Sequence, residues 1–340
     1  MRIPVAVLGA TGAVGQRMVQ MLACHPWFEL VQVCASEASA GKPYGDAVHW
    51  LLSDPIPEKV ASMQVTAPDV RSNAQIAFSA LDSSVAREIE RGWATSGVTV
   101  ITNASSHRMD EKVPLIVPEV NPDHLDLVRG KEGMIIANPN CVVIGLALAL
   151  KPLVDAFGVK CVNITTFQAL SGAGYPGVPS LSICDNVIPY INGEEEKVEA
   201  EPLKIFSRLE GTRLVSPDLL ISASCTRVPV LEGHMKSVSL SLHRKANFNE
   251  VKEAFCSFRS QLNLPSAPRQ PLCFMHGQAS PQPRLHCHLG QGMTVSVGTL
   301  RPCPVNDYKF FVLSHNTIRG AAGGSILLGE LVVDKLFSKN

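Results

Sequence analysis

Cys141 is the residue best placed to do chemistry, because it follows a buried apolar strand at 134–137 and an Asn-Pro-Asn turn. A helical pattern begins at this cysteine, so its thiol would face unpaired backbone N–H groups and the positive end of a helix dipole. Both features favour the thiolate, which is the nucleophilic form of cysteine. Most of the ten cysteines are expected to pack as small hydrophobic side chains. The turn sets Cys141 apart, and we predict that it is a nucleophile.

Arg227 and His234 stand at the two ends of an apolar bend. An arginine can bind a carboxylate through two parallel hydrogen bonds, and a histidine can exchange protons near neutral pH. Gly233 would allow the loop beside His234 to approach a ligand closely. From these residues alone, a structural and a catalytic role for His234 are equally open.

A charged run follows Gly193, and Glu194 and Lys197 share one face of its predicted helix. These two side chains could bind an ammonium group and an anion, respectively. The alternative is a solvated helix start, since acidic residues are favoured in the first turn of a helix. The run alone favours the solvated helix, which Pro202 should kink or end.

A glycine-rich turn directly after the first predicted strand, residues 4–8, indicates a dinucleotide site. Gly9, Gly12 and Gly15 permit a tight turn and a close approach of the backbone to a phosphate at the start of the helix 16–23. Tight packing alone could also explain such a turn. Its position before a second strand makes dinucleotide binding the favoured interpretation.

The end of that second strand, residues 29–34, bears on the choice of cofactor. An acidic residue there binds the ribose hydroxyls of NAD, whereas basic or small hydroxyl residues accept the 2′-phosphate of NADP. Ser36, Ser39 and Lys42 favour NADP, and Glu37 favours NAD. We predict NADP, with NAD as the alternative.

Strands that alternate with helices predict an α/β Rossmann domain with a doubly wound parallel sheet. The remaining strands of this sheet are placed at 75–80, 98–103 and 134–137, with a helix at 84–91. The loop after 98–103 would lie at the carboxyl edge of the sheet, where ligands bind. Arg108 in this loop could hold an anion, or it could be a surface arginine beside Asp110.

Alternating, half-exposed strands follow, and they predict an α+β domain with a mainly antiparallel sheet. These strands are placed at 160–168, 219–225, 236–243, 293–298 and 309–313. The run 262–284, rich in Pro, Gln and Ser, is predicted to be a long loop. The second face of the sheet would suit a twin subunit, so we expect a homodimer or homotetramer.

The predicted domains are 1–140 for dinucleotide binding and 141–315 for catalysis and dimerisation. The C-terminal helix, 316–340, carries small residues in its first turns that permit tight packing. We expect this helix to pack back on the dinucleotide-binding domain and to complete it.

The composition excludes several classes of protein. The 340 residues include 30 Lys and Arg against 30 Asp and Glu, which leaves no global charge for nucleic acid or an acidic membrane. No apolar run approaches the ~20 residues of a membrane span, and the start offers no signal peptide. We expect a cytoplasmic protein with free thiols. We expect no metal, because alternation on a strand would separate His286 and His288 from Cys287.

Motifs along nearly the whole chain resemble those of the aspartate-semialdehyde dehydrogenases, in the branch found in archaea and fungi. The matching motifs, in the order of the family, are Gly9-Ala-Thr-Gly-Ala-Val-Gly15, Asn140-Cys141, Phe167-Gln-Ala-Leu-Ser-Gly-Ala-Gly174, Gly193-Glu-Glu-Glu-Lys197, Arg227-Val-Pro-Val-x-x-Gly-His234 and Asn316-Thr-Ile-Arg-Gly-Ala-Ala-Gly-Gly324. The resemblance implies a Rossmann domain and a substrate and dimerisation domain. It also implies reductive dephosphorylation of L-aspartyl 4-phosphate to L-aspartate 4-semialdehyde with NADPH, through a thioester, in the biosynthesis of lysine, threonine and methionine.

The resemblance also assigns roles to individual residues. The nucleophile corresponds to Cys141, the acid/base to His234, and the residue that positions the thioester to Gln168. Arg227 would bind the substrate α-carboxylate and Glu194 its α-ammonium, while Arg108 and Lys197 would bind phosphate. The cofactor contacts would come from Gly9, Thr11, Gly12, Ala13, Val14, Gly15, Ser36, Ser39, Ser79, Ser171, Gly172 and Asn316.

Three positions depart from the pattern of that family. Val142-Val143 stands where the family commonly has Ser-Thr, so two hydroxyls near the phosphate or nicotinamide are missing. Ala38 stands where the cofactor loop usually carries an arginine, which weakens the NADP prediction. His286-Cys287-His288 stands where related chains tend to have Asp-Arg.

Three alternative functions stay open. An acyl-CoA reductase, such as a malonyl-CoA reductase, would use the same thiol and hydride chemistry. An N-acetyl-glutamyl-phosphate reductase is the second, although Glu194 and Lys197 suit a free amino acid better. The third is a catalytically silent Rossmann module that senses NADP, which the intact residues of the active-site motifs argue against.

Overall fold

The chain folds around two large β-sheets, and the structure, a computed structural model, describes residues 2–70 and 72–337. The strands are β1 (Ile3–Leu8), β2 (Phe28–Cys34), β3 (Val65–Thr66), β4 (Ile76–Ser79), β5 (Thr99–Thr102), β6 (Met134–Ala137), β7 (Val159–Gln168), β8 (Ile188–Pro189), β9 (Arg208–Glu210), β10 (Arg213–Val215), β11 (Leu220–Arg227), β12 (His234–Leu242), β13 (Leu272–Met275), β14 (Val295–Pro302) and β15 (Tyr308–Ser314). The α-helices are α1 (Ala13–Leu22), α2 (Tyr44–Ala47), α3 (Glu58–Ala61), α4 (Ser83–Thr95), α5 (Cys141–Phe157), α6 (Ser180–Ile183), α7 (Glu194–Ile205), α8 (Phe248–Ser257), α9 (Pro283–His286) and α10 (Gly323–Val332). Turns of 3-10 helix lie at Ser105–His107, Pro122–Val128 and Leu170–Ala173, and π-helical turns lie at Ile318–Ala322 and Val333–Phe337.

The first sheet has six parallel strands in the order β3-β2-β1-β4-β5-β6. Its central strands are buried on both faces, which explains why they read as short apolar runs. The order reverses between β1 and β4, where doubly wound sheets bind ligands. The predicted parallel Rossmann sheet is confirmed, apart from the short strand β3, whose two residues are too few to show a pattern.

The second sheet is mixed, so the prediction of a mainly antiparallel sheet is wrong. Its seven strands have the order β13-β14-β15-β12-β7-β11-β8. The pairs β7/β11 and β13/β14 are parallel, whereas β12 pairs antiparallel with both β7 and β15. Alternation in a sequence shows that a strand has one exposed face, but it does not show the direction of the neighbouring strand.

Two local predictions in this part of the chain are also wrong. The run 262–284 is not a continuous loop, because it contains β13, which pairs with β14. His286 and His288 do not lie on a strand: α9 ends at His286, and His288 lies in the turn that follows. The Pro and Gln content of this run hides a strand of only four residues, and the turn removes the basis for alternation.

Helix α5 connects the two sheets and forms the centre of the apolar core that lies against the second sheet. It begins directly after β6 and the Asn-Pro-Asn turn, and it packs along β7, β12, β14 and β15. From Val142 to Leu150 the helix is apolar on all sides because this stretch is buried on all sides. Val142 and Val143 are both fully buried and belong to this apolar core. The helix ends at Phe157 and is followed by Gly158, whose φ of +67° favours glycine.

The C-terminal segment packs on both the first sheet and the start of α5. A Cβ on Gly329 would lie 2.7 Å from Cζ of Phe78 in β4, so only glycine fits there without rearrangement. Ile326 and Leu327 belong to the same core as the first sheet. The last predicted helical residues, 338–340, and the first residue of the predicted N-terminal domain lie outside the described residues. None of the helices in the described part of the chain has the length and apolar character that crossing a lipid bilayer requires.

Candidate active site

Cys141 is the first residue of α5, and the geometry of the preceding turn is fixed by Asn140. The side-chain oxygen of Asn140 caps the helix by accepting a hydrogen bond from the Val142 N–H at 2.8 Å. On the other side, a Cβ on Gly320 would lie only 2.8 Å from Cβ of Cys141. The thiol therefore sits in a tight, half-buried position between the helix start and the C-terminal segment.

The surroundings of Cys141 do not produce the low thiol pKa that its position at a helix start suggests. Burial, together with the nearby carboxylate of Glu194, raises the pKa of the Cys141 thiol to about 12. The cations Arg108, Lys236 and Arg227 act in the opposite direction without cancelling this effect. The dipole argument considers only local backbone, whereas burial depends on segments far apart in sequence. The resting state is therefore a thiol that must lose its proton during the reaction.

Gln168, Arg227 and His234 come together because their strands are neighbours in the second sheet. Arg227 at the end of β11 lies opposite Gln168 at the end of β7, and β12 begins at His234. Ala169, the residue after Gln168, joins Arg227 to His234. Its carbonyl accepts a hydrogen bond from Nη1 of Arg227 at 2.7 Å, and its N–H donates to Nδ1 of His234 at 3.0 Å. A Cβ on Gly172 would lie 2.8 Å from both Arg227 Nη1 and His234 Cε1, so the loop above them must be glycine here.

The hydrogen bond from Ala169 determines which nitrogen of His234 carries the proton. Nδ1 accepts this bond, so the neutral ring carries its proton on Nε2. Burial, followed by the cations Lys236 and Arg227, lowers the pKa of His234 well below its usual value, so the ring is neutral at pH 7. Nε2 has no hydrogen-bond partner among the described residues. His234 therefore offers a free N–H donor in the site.

Glu194 lies inside this cluster, and the solvated helix start that its sequence context favoured is wrong. Its Oε1 accepts hydrogen bonds from Nδ2 of Asn140 at 2.9 Å and from Nε2 of Gln168 at 3.4 Å. Its Oε2 lies 3.4 Å from Nζ of Lys197, which is half-exposed. The first turn of α7 faces the protein because the helix packs on β11 and α5. Pro202 does not end this helix, which continues to Ile205.

Arg108 is buried, so the alternative of a surface arginine beside Asp110 is wrong. Its Nη1 donates to Oε1 of Glu201 at 2.9 Å, its Nε donates to the carbonyl of Asn138 at 3.1 Å, and its Nη2 donates to the carbonyl of Asn103 at 2.6 Å. The other oxygen of Glu201 accepts the Asn140 N–H at 2.7 Å. Arg108 and Glu201 thus hold the turn before Cys141 in place, and the charge of Arg108 is already paired.

Two buried lysines near the site were not predicted from the sequence. Lys204 donates to the carbonyl oxygens of Arg108, Asp110 and Val113, each at 2.7 Å, and burial lowers its pKa to about 8. Lys236 is fully buried, donates to Oγ of Ser314 at 2.7 Å, and has a pKa lowered to about 7 by burial.

Lys236 can approach α5 because one residue of that helix, Gly145, has no side chain. A Cβ on Gly145 would lie 2.7 Å from Nζ of Lys236. Gly145 is four residues beyond Cys141 on α5, so it faces the same side of the helix. A glycine inside an apolar helix was therefore the one available sign of a close approach.

The glycine-rich turn has the form that a dinucleotide requires. Gly9 has a φ of +77°, and a Cβ there would lie 2.7 Å from the carbonyl oxygen of Ala80. A Cβ on Gly15 would lie 2.1 Å from the carbonyl oxygen of Gly9. Gly12 is the N-cap of α1 and has no side chain to cap the helix, so the first N–H groups of the helix have neither a capping side chain nor an intrahelical acceptor. These backbone groups fit a phosphate at the helix start.

An open cleft of about 1080 Å³ runs from this turn towards the catalytic cluster. Its lining includes Ala13 and Arg17 on α1 and Ser171 on the opposite loop. Asn316 holds that side of the cleft, because it donates to Oγ of Ser171 at 2.7 Å and accepts the N–H of Gly233 at 2.8 Å. Arg17 is a cleft residue that sequence reasoning missed.

The other predicted cofactor residues lie in different environments. Ser36 is exposed and Ser39 half-buried in the turn that follows β2, and Thr11 is half-buried in the glycine-rich turn. Gly172 lies against His234, as described above. Ser79 is fully buried at the end of β4. Ser79 and Asn316 are therefore enclosed by protein, whereas Thr11, Ser36 and Ser39 are at least partly exposed.

The comparisons with known proteins agree with this geometry. Residues 4–128 match the NAD binding domain of semialdehyde dehydrogenases, and residues 150–319 match the dimerisation domain of the same enzymes. The chain belongs to the semialdehyde dehydrogenase family. Within this family, it is 48% identical to the aspartate-semialdehyde dehydrogenase of Archaeoglobus fulgidus, with 98% of both chains covered.

Solved structures of semialdehyde dehydrogenases show the same fold. The aspartate-semialdehyde dehydrogenase of Candida albicans, crystallised with NADP, has a TM-score of 0.91 at 38% identity, with 98% of both chains covered. Aspartate-semialdehyde dehydrogenase II of Vibrio cholerae, complexed with ASA, has a TM-score of 0.80 at 27% identity, and the match covers 98% of this chain and 99% of that one. The resemblance seen in the sequence motifs is thereby confirmed over nearly the full length.

Proposed function

We propose that this protein is an aspartate-semialdehyde dehydrogenase, which converts L-aspartyl 4-phosphate and NADPH into L-aspartate 4-semialdehyde, NADP and phosphate in the biosynthesis of lysine, threonine and methionine. The observation that carries this proposal is the convergence of Cys141 with a carboxylate, Glu194, and a guanidinium, Arg227, in one buried cluster. A free amino acid presents the complementary pair of charges. The full-length similarity to enzymes of that name supports the same conclusion.

Substrate binding would use charges that the cluster already orients. Arg227 retains guanidinium N–H groups beyond the Nη1 that contacts Ala169, and these would bind the α-carboxylate. Glu194 would bind the α-ammonium. Lys197, half-exposed at the edge of the cluster, would bind the phosphate. Arg108 would support phosphate binding only from the second layer of residues, because all three of its nitrogens already donate to protein acceptors and its charge is paired with Glu201.

Acyl transfer comes first because a hydride cannot easily displace phosphate directly. The sulfur of Cys141 forms a C–S bond to the acyl carbon, the C–O bond to phosphate breaks, and the thiol proton ends on the departing phosphate. Nε2–H of His234 would donate a hydrogen bond to the anionic sulfur and, later, to the developing oxyanion. For His234 to accept a proton at Nε2, its other proton would have to move to Nδ1, where the Ala169 N–H opposes it. Donation is therefore the first role that the geometry supports.

The resulting thioester would then be reduced. NADPH, when bound, supplies the hydride that reduces the thioester carbonyl. Gln168, held by Thr166 and Glu194, would fix the acyl group beside the cleft. Collapse of the tetrahedral adduct would break the C–S bond and return the electron pair to sulfur. A proton from the medium would then restore the thiol of Cys141.

We infer NADP as the preferred cofactor. Ser36 and Ser39 are accessible at the end of β2, where the 2′-phosphate of NADP binds in dinucleotide folds. Glu37, also exposed there, is the residue that would favour NAD. The relative from Candida albicans was crystallised with NADP, which supports the same choice.

Oligomeric state, domain limits and location are also proposed. The alternating burial along β12 leaves one face of the second sheet half-exposed, which suits contact with a second copy in a homodimer or homotetramer. We place the dinucleotide-binding domain at 1–140 with 316–340, and the catalytic and dimerisation domain at 141–315. The cytoplasmic location inferred from the sequence stays a prediction.

The decisive experiment is phosphate-dependent reduction of NADP, and separately of NAD, by purified protein given aspartate semialdehyde. Cys141→Ala should abolish turnover and leave NADP binding intact, whereas Cys24→Ala, at an exposed cysteine, should keep full activity. Activity without phosphate, or in Cys141→Ala, would overturn the proposal. The alternative acyl-CoA reductase would instead consume malonyl-CoA and NADPH.

A further inference from the structure

Glu232, His288 and His315 form a cluster in the cofactor cleft that the reaction proposed above does not use. One donor atom from each residue lies within 4.8 Å of the other two. Glu232 belongs to the bend before His234, His315 follows β15, and His288 lies in the turn after α9. Three separate segments of the chain thus bring two imidazoles and one carboxylate to one place.

The contact between Glu232 and His315 is close but is not an ordinary hydrogen bond. Nε2 of His315 lies 2.5 Å from Oε2 of Glu232, and His315 is fully buried. Even so, Nε2 has no aligned hydrogen-bond partner among the described residues, so its axis does not point at the carboxylate oxygen. A buried ring nitrogen without an aligned acceptor leaves His315 free to take a further partner once the contact with Glu232 opens.

Two further contacts keep the side chains of Glu232, His288 and His315 close together. The other oxygen of Glu232 lies 3.5 Å from Nη2 of Arg17, which leaves Oε2 facing His315. The rings of His288 and His315 have their centroids 4.9 Å apart at an interplanar angle of 66°. His288 is exposed to the cleft, so an ion can reach the site from solvent.

We propose that Glu232, His288 and His315 bind a divalent transition-metal ion of the zinc class in the cofactor cleft. Two imidazoles and a carboxylate are ligands that zinc, cobalt and nickel accept, and water would complete the coordination. Bond lengths of ~2.0–2.2 Å place neighbouring ligand atoms of one zinc ion roughly 3.3 Å apart. The Glu232–His315 contact must open and the His288 contact must shorten, which rotations of two side chains can supply. This proposal differs from the expectation from the sequence that the chain binds no metal, and the experiment below decides between the two.

The proton on His315 limits how tightly the ion binds. Coordination by Nε2 requires the proton on Nδ1, and Oγ1 of Thr317, 3.4 Å away, can accept it. The backbone N–H of Ile318 lies 3.3 Å from Nδ1 of His315 and would donate to it, which opposes a proton on Nδ1. The cation Arg17 also repels a metal ion beside Glu232. We therefore expect reversible binding rather than a permanent structural ion.

Cobalt is the best probe, because the ten free cysteines would also attract zinc. Thiolate coordination to cobalt produces a near-ultraviolet charge-transfer band, whereas two imidazoles and a carboxylate do not. The experiment titrates Co²⁺ into the full-length protein and follows its visible absorption and the heat of binding. The variants are His288→Ala, which alters an exposed ligand, and His286→Ala, which alters a histidine two residues away outside the cluster.

We expect one Co²⁺ per chain, without a thiolate band, and a loss of affinity of about tenfold or more in His288→Ala. His286→Ala should bind as the unaltered protein does. Glu232→Gln should weaken binding too, and equal thermal unfolding midpoints without metal would show that each variant is folded. Equal affinity in His288→Ala, or a thiolate band in the one-to-one complex, would overturn the proposal. This result does not depend on which reaction the enzyme catalyses, since it measures binding alone.

Discussion

Asn140 donates a hydrogen bond from Nδ2 to Oε1 of Glu194 at 2.9 Å, which joins the residue before the nucleophile to the acid expected to bind the substrate ammonium. The same asparagine caps α5 through its side-chain oxygen. One side chain therefore fixes both the start of the catalytic helix and the position of the acid. This link brings two motifs more than fifty residues apart into contact.

The buried pair of Arg108 and Glu201 should contribute to stability as well as to the shape of the turn. Glu201→Gln removes the charge that pairs with Arg108 and weakens the acceptor for the Asn140 N–H. We expect the free energy of unfolding to fall by about 3 kcal/mol, as when a buried ion pair loses one partner. Urea denaturation measures this change. Asp155→Asn breaks the exposed pair with Lys151 and should cost less than about 1 kcal/mol, so equal losses would refute the argument.

Lys236 should make stability depend on pH in an unusual direction. Burial lowers its pKa to about 7, whereas an unfolded lysine titrates near 10.4. Between these values the unfolded chain binds a proton that the folded protein lacks, so this group makes the free energy of unfolding rise with pH. Below about pH 7 both states bind the proton and the dependence disappears.

Lys236→Met removes this pH dependence. The difference in the free energy of unfolding between the unaltered protein and Lys236→Met therefore reports Lys236 alone, because the other titrating groups contribute equally to both. We expect that difference to change by up to ~1.4 kcal/mol per pH unit between pH 7 and pH 10. Urea denaturation at a series of pH values provides the measurement. Lys309→Met, on the neighbouring strand β15, serves as the control. A difference that stays constant over this range would contradict the burial of a proton-poor lysine.

Arg227→Lys should lower kcat/KM by roughly 100-fold, about 2.7 kcal/mol of transition-state stabilisation. An ammonium group cannot reproduce both the bond to the Ala169 carbonyl and a two-point contact with a carboxylate. Steady-state kinetics with aspartate semialdehyde tests the change, with Arg213→Lys as an exposed control. Unchanged kinetics in Arg227→Lys would remove this residue from the site.

Gly320→Ala tests how closely the C-terminal segment must approach the nucleophile. The new methyl group would lie 2.8 Å from Cβ of Cys141, so the backbone or the helix start must shift. We expect kcat to fall by about 100-fold with little change in NADP affinity, because a shift near 1 Å at the reacting atom costs this much. Gly277→Ala, which meets only the flexible side chain of Ser280, should leave kcat unchanged. Full activity of Gly320→Ala would show that the contact tolerates the methyl group.

The sequence predicted the elements whose geometry depends on near neighbours. The glycine spacing at 9–15 predicted a turn followed by a helix, although α1 begins at Ala13 and not at the predicted Gln16. The Asn-Pro-Asn turn predicted that α5 would begin at Cys141. Both follow from backbone sterics and capping within a few residues. The motifs also predicted the family, which the comparisons confirm. The pairing direction of β7 with β11 could not be read in this way, because alternation carries no direction.

What only the tertiary structure decided is the electrostatic state of the site. The thiol pKa of Cys141, the burial of Glu194, the pairing of Arg108 with Glu201 and the buried position of Lys236 each depend on segments far apart in sequence. The cluster of Glu232, His288 and His315 is of the same kind. A sequence determines which groups the chain carries and how its backbone turns locally. Desolvation and charge pairing act through space, so they are set only when the sheets and α5 bring those groups together.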